Sequence, residues 1–160
     1  MKKYREVAVG GTFDVLHRGH KALLTRAFEV GEKVVIGLSS DEFVAKMGKP
    51  HVTANFAERR KELASYLADM GLMDRAEIVP LKDPYGLTIK GQRLEALVVS
   101  KETAKTASSI NEARHRAGIP SLEIVAVDMV QAENSTPIST TRIRSGEIDR
   151  NGHLLQGMQK

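Results

Sequence analysis

A chain of 160 residues with 41% apolar and 28% charged side chains is sized for one globular domain with a sizeable core. No apolar run approaches the roughly 20 residues of a membrane span, and the stretch after Met1-Lys2-Lys3-Tyr4-Arg5 is too short for a signal peptide, so a cytoplasmic protein is expected. The absence of cysteine excludes disulfides and thiolate metal sites, and a net charge of +4 interleaved with Asp and Glu suits small anionic ligands better than nucleic acid.

Glu6-Val7-Ala8-Val9 reads as a first strand entering a glycine turn at Gly10-Gly11. Arg18 to Val30 follows as a helix, with Leu24 and Phe28 one turn apart and Gly31 as its stop. Lys33 to Leu38 is a second, β-branched strand, and residues 41–55 form a loop whose Gly and Lys content allows closure over a ligand. Phe56 to Met70 is the next helix, its apolar face made of Phe56, Leu63, Leu67 and Met70, with Gly71 at the C′ position. Glu77-Ile78-Val79-Pro80 and Ala96-Leu97-Val98-Val99 are further strands. A helix from Glu102 to Ala117 is closed by Gly118 and Pro120, Leu122 to Val127 is a fifth strand, and a short helix begins near Ser139. No repeat or linker divides the chain, so residues 1–160 are expected to form a single domain. Apolar strands separated by helices predict an α/β fold: a Rossmann-like, doubly wound, five-stranded parallel sheet with helices on both faces. Ligands of such folds sit beyond the carboxyl ends of the strands.

The stretch Gly10-Gly11-Thr12-Phe13-Asp14-Val15-Leu16-His17-Arg18-Gly19-His20 spans the first strand–helix junction. Glycines there allow a phosphate to approach the backbone, and a helix start offers unpaired N–H groups with partial positive charge. His17 and His20 share a helix face at a spacing of three, as a donor pair for a triphosphate or as surface histidines beside a tight turn. A dinucleotide fingerprint would need a third glycine, although Asp41 stands where a ribose-binding acid could sit. Neither a Walker A loop nor an H-E-x-x-H zinc helix occurs. The second informative stretch is Pro137-Ile138-Ser139-Thr140-Thr141-Arg142-Ile143-Arg144. It reads as an ordinary N-cap with surface arginines, or as a second helix start that presents hydroxyls and Arg144 to phosphates.

With these two motifs in this order, the chain resembles the HxGH nucleotidyltransferase superfamily, through His17-Arg18-Gly19-His20 and an ISSTxxR-like segment at Ile138–Arg144. It is most similar to the archaeal type of phosphopantetheine adenylyltransferase, which itself resembles a domain of eukaryotic coenzyme A synthase. Val9 to Asp14, Pro80 to Gly86 and Leu97 to Thr103 carry that likeness, with Asn111 and Arg114. The resemblance implies transfer of AMP from ATP to 4′-phosphopantetheine, giving dephospho-coenzyme A and pyrophosphate. Mg²⁺ would be carried by the ATP phosphates, with no ligand from the protein. Catalytic roles are implied for His17, His20 and Lys46, with His20 stabilising the transition state. ATP contacts are implied for Gly11, Thr12, Phe13, His20, Ser139, Thr140, Thr141 and Arg144. Acceptor contacts are implied for Thr12, Lys46, Lys49 and Ser100. The family's lysine after the second strand matches both Lys46 and Lys49, and Lys46 is preferred.

The implied partners are these two small molecules, without nucleic acid or membrane. A phosphate monoester has a second pKa of about 6 and needs no general base to attack. Direct in-line transfer, driven by alignment and electrostatics without a covalent intermediate, is therefore expected. Other members of the superfamily remain as alternatives: a cytidylyltransferase, or a flavin or nicotinamide nucleotide adenylyltransferase. The first is disfavoured because Ala132 to Pro137 lacks the arginine that typically precedes the Ile-Ser-Thr segment. A non-catalytic nucleotide-binding module is the alternative of a different class.

Overall fold

The computed structural model describes residues 3–47, 53–82, 94–100, 104–127 and 143. In chain order these form β1 (Tyr4–Gly11), α1 (Arg18–Val30), β2 (Gly31–Ser39), α2 (Asp41–Met47) and α3 (Phe56–Asp69). A 3₁₀ turn at Met73–Arg75 leads to β3 (Ala76–Leu81), then come β4 (Ala96–Ser100), α4 (Ala104–Arg116) and β5 (Glu123–Val127). The five strands are parallel and lie in the order β3-β2-β1-β4-β5, so the chain winds outward from β1 in both directions.

Strand alternation assigns the two cores. Val7 and Val9 of β1, Val34, Ile36 and Leu38 of β2, and Ala96 and Val98 of β4 pack with Leu24 and Phe28 of α1 and Leu63 and Leu67 of α3. Ala8, Val35, Leu97 and Val99, between them in sequence, turn to the opposite face and meet Ala107 and Ile110 of α4. Period-two side chains buried on both sides require continuous apolar strands, and this is how the expected doubly wound sheet is realised.

The expected and observed helix ends agree closely for α1 and α3. α3 and α4 both finish in Schellman geometry. Leu72 N–H donates to the Leu67 carbonyl at 2.8 Å and Gly71 N–H to Ala68 at 3.1 Å, while Ile119 and Gly118 make the equivalent bonds to Arg114 and His115. Gly71 and Gly118 accordingly have φ of +70° and +75°. Met70 departs from its expected place in the apolar face: α3 stops at Asp69, the chain turns, and Met70 is left 56% exposed while Leu72 packs against the core.

Gly31 does stop α1, but with an extended φ of −114°, because β2 begins on that residue. A Cβ at Gly31 would sit 2.6 Å from Val7 Cγ2 and 2.9 Å from Cγ1, so glycine is required there for space. Arg75 finishes this corner, donating to the carbonyls of Phe28 (2.7 Å), Gly31 (2.8 Å) and Glu32 (2.9 Å). Asn111 and Arg114 of α4 secure the other face. Asn111 exchanges two hydrogen bonds with the Leu122 backbone, and Arg114 Nε donates to the Pro120 carbonyl at 2.7 Å. Desolvation at this buried position lowers the pKa of the Arg114 guanidinium from its usual value.

Gly31→Ala must push the sheet and α1 apart at Val7, and is expected to lower the unfolding free energy by about 1–3 kcal/mol. Urea denaturation followed by circular dichroism checks this, and unchanged stability would contradict the packing described.

Candidate active site

The strand order reverses between β1 and β4, which places the ligand crevice at their carboxyl ends. β1 pairs with β2 as far as Gly11, but with β4 only at Val7–Ala96 and Ala8–Leu97. Gly11 closes β1 and Ser100 closes β4, so these two expected site residues stand on either side of the switch point. The expected glycine turn at Gly10-Gly11 is in fact the last two residues of the strand. Reversal starts at Thr12, where the chain can turn without leaving the β1–β2 ladder early. Gly11 also leaves room for the Phe13 ring, which folds back over it: a Cβ there would come within 3.2 Å of the ring and make it shift by a few tenths of an ångström.

The turn from Thr12 to His17 is unusual in its backbone. Phe13 and Val15 have φ of +50° and +49°, a region that costs non-glycine residues on the order of 1–3 kcal/mol each. Neighbouring groups hold it there. Arg59 Nη1 donates to the Thr12 carbonyl at 3.0 Å, Ala54 N–H to Asp14 Oδ1 at 3.2 Å, and Leu16 N–H to Glu62 Oε1 at 2.8 Å. Phe13, Asp14, Leu16 and His17 are all buried.

His17 is the N-cap of α1 and only 5% exposed. Its Nδ1 accepts from Gly19 N–H at 3.0 Å and His20 N–H at 3.4 Å, while His20 Nδ1 accepts from His17 N–H at 3.3 Å. This is a capping box built from two imidazoles in place of the usual hydroxyl and carboxylate. The rings stack with centroids 3.7 Å apart and 21° between planes, and Phe13 lies 5.2 Å from His20. Helix-start amides left open for an anion are therefore not what the structure presents at Gly19 and His20. The His17 ring occupies both, because an N-cap acceptor one residue outside the helix reaches them first.

The chemistry of the pair follows from these bonds. A ring whose Nδ1 accepts a hydrogen bond carries its proton, when neutral, on Nε2. Amide donation into Nδ1 also draws electron density from the ring and strengthens Nε2–H as a donor. The positive end of α1 is thus relayed through imidazole to a donor suited to phosphate oxygen.

Lys46 is exposed in the last turn of α2, a helix that replaces part of the loop expected over 41–55. Ser40 caps it, accepting from Phe43 N–H through Oγ at 3.1 Å, and Asp41 and Glu42 favour its first turn. Asp41, considered above as a ribose ligand, instead accepts from Phe56 N–H (2.8 Å) and Arg59 Nη2 (3.1 Å). Lys49, Ser139, Thr140, Thr141 and Arg144 lie outside the described residues, as does the helix expected near Ser139. Arg59, Asp14 and Glu62 are the residues that reading the sequence missed. Arg59 had a visible signal: it falls three residues after Phe56 and four before Leu63, on the apolar face of α3.

The cytidylyltransferase-like family matches residues 8–146. The chain is 46% identical over 155 residues to the phosphopantetheine adenylyltransferase of Methanothermobacter thermautotrophicus, covering 97% of this chain and 92% of that one. Among solved structures, a protein of unknown function from Archaeoglobus fulgidus superposes with a TM-score of 0.67 at 38% identity, covering 76% of this chain and 97% of the other. A bifunctional NMN adenylyltransferase/ADP ribose pyrophosphatase from Francisella tularensis shares the fold, with a TM-score of 0.58 at 20% identity over 89% of this chain and 41% of that one.

Replacing His17 by Ala removes the cap from two amides and is expected to cost about 1 kcal/mol of stability. His17→Asn, which restores a capping oxygen, should recover most of that loss in the same urea titration. An Ala variant as stable as the parent would refute the capping role.

Proposed function

The chain belongs to the cytidylyltransferase-like family and, within it, to the archaeal phosphopantetheine adenylyltransferases, and on that premise we propose that it transfers the adenylyl group of ATP to 4′-phosphopantetheine. The products are dephospho-coenzyme A and pyrophosphate, a step of coenzyme A biosynthesis. The observation that carries this reading is the stacked His17–His20 pair at the β1 switch point, with both Nδ1 atoms turned to backbone amides.

The acceptor phosphate is already a nucleophile at neutral pH, so the protein's task is to align two anions and offset the charge that develops on transfer. His20 Nε2–H would donate to the phosphate oxygens as that charge grows, with His17 holding it by the reciprocal cap and the ring stack. Gly11, Thr12 and Phe13 line the ATP side in this reading, together with Ser139, Thr140, Thr141 and Arg144. Thr12, Lys46, Lys49 and Ser100 serve the acceptor. Attack is in line, without a covalent intermediate.

Transfer from ATP calls for a divalent cation, assigned here as Mg²⁺ on the triphosphate, where it lowers the phosphate charge. Among the described residues no three His, Asp or Glu side chains converge as a metal cage. The imidazole Nδ1 atoms face N–H groups, so the pair fits an anion and not a cation. Among the described residues no helix is long and apolar enough to cross a membrane. We read residues 1–160 as one domain of a cytoplasmic enzyme whose ligands are small molecules and not nucleic acid.

Incubation with ATP, Mg²⁺ and 4′-phosphopantetheine, read by mass spectrometry, should give dephospho-coenzyme A; CTP in place of ATP should not support it. His20→Ala is expected to lower kcat by about 10²- to 10³-fold with a far smaller change in ATP affinity. Near-normal turnover would sink the assignment. Lys46→Ala should raise KM for the acceptor and slow transfer more than Lys49→Ala does; the reverse order would move the role to Lys49.

A further inference from the structure

Arg59 is 2% exposed and spends its guanidinium on four acceptors from three stretches of the chain. Nε donates to the Ala54 carbonyl at 2.7 Å, and Nη1 donates to Thr12 at 3.0 Å and Ser39 at 2.7 Å. Nη2 reaches Asp41 Oδ1 at 3.1 Å. Thr12 opens the strained turn that leads to the two histidines, Ser39 ends β2, and Asp41 begins the helix bearing Lys46. One side chain therefore sets the distance between the imidazole-bearing turn and the lysine-bearing helix.

We propose that Arg59 is a positioning residue for adenylyl transfer: through Thr12 and Asp41 it fixes the histidine turn and α2 relative to each other. The proposal rests on the functional reading above. Arg59 need not touch either substrate. Its fork matches several carbonyls at once, and a lysine ammonium on a single stem cannot satisfy that set. A shift of about 1 Å between groups that must align a nucleophile and a phosphate costs on the order of 100-fold in rate. Arg75 provides a matched control, since it clamps three carbonyls at the opposite, amino end of β2.

The test compares Arg59→Lys, Asp41→Asn and Arg75→Lys by Tm, by kcat and KM for 4′-phosphopantetheine, and by the imidazole NMR resonances of His17 and His20. Arg59→Lys should lose about 100-fold in kcat and move the imidazole resonances, since a displaced Thr12 carries the Phe13 ring with it. Asp41→Asn should slow transfer while leaving those resonances in place. Arg75→Lys should lower Tm and leave kcat within about twofold, as expected of a change remote from the site. If Arg59→Lys loses no more activity than Arg75→Lys, or leaves the imidazole resonances unmoved, the positioning role is wrong. A wild-type protein that forms no dephospho-coenzyme A would defeat the functional reading instead, and the imidazole resonances would still decide whether Arg59 holds the turn.

Discussion

A guanidinium taken out of water loses hydration worth several kcal/mol, on the order typical of a buried ion, and must find acceptors that replace it. Arg59 finds three backbone carbonyls and one carboxylate, from the Thr12 turn, from the end of β2 and start of α2, and from the segment before α3. The requirement runs both ways. The carbonyls of Thr12, Ser39 and Ala54 each accept from the guanidinium, and a buried carbonyl without a donor is costly. The carboxyl edge of the sheet near β1 and β2 is consequently organised around a charge. Apolar packing alone would leave those polar groups unanswered.

What that charge supports is a turn that would not persist by itself. Val15 is β-branched, and a left-handed φ crowds its side chain against its own backbone. Arg59, Ala54 and Glu62 each fix a different point of the segment, and the His17–His20 cap closes its far end. Strain of this kind is stable only where the surroundings over-determine the conformation. Here the outcome is a pair of stacked rings whose Nδ1 atoms are both held by backbone amides, and the proposed role of His20 draws on that preorganisation.

Much of the fold was legible in the order of residues because its signals are local. The bounds of α1, the apolar strands, and the glycines that end α3 and α4 depend on hydrophobic period and on φ preference, which neighbours in sequence express directly. α2 was passed over although Ser40-Asp41-Glu42 is a helix-start signature, since seven residues are too few to display a period. Met70 was misplaced because the apolar spacing continues one step beyond the point where the Schellman turn ends α3. Arg59 sits in the charged run Glu58-Arg59-Arg60-Lys61-Glu62, which masks its place between Phe56 and Leu63 on the apolar face of α3.

The sequence by itself determined the fold class and the reaction family, because motif chemistry and periodicity are properties of short segments. The tertiary structure alone decided what holds the turn that leads to His17 and His20. Whether an arginine meets solvent or buried acceptors depends on residues far from it in sequence: Thr12, Ser39 and Asp41 meet at Arg59, and Leu16 meets Glu62. Hydrogen bonds act at about 3 Å in space, without regard to separation along the chain. No local pattern encodes such meetings until the sheet and helices bring the partners together.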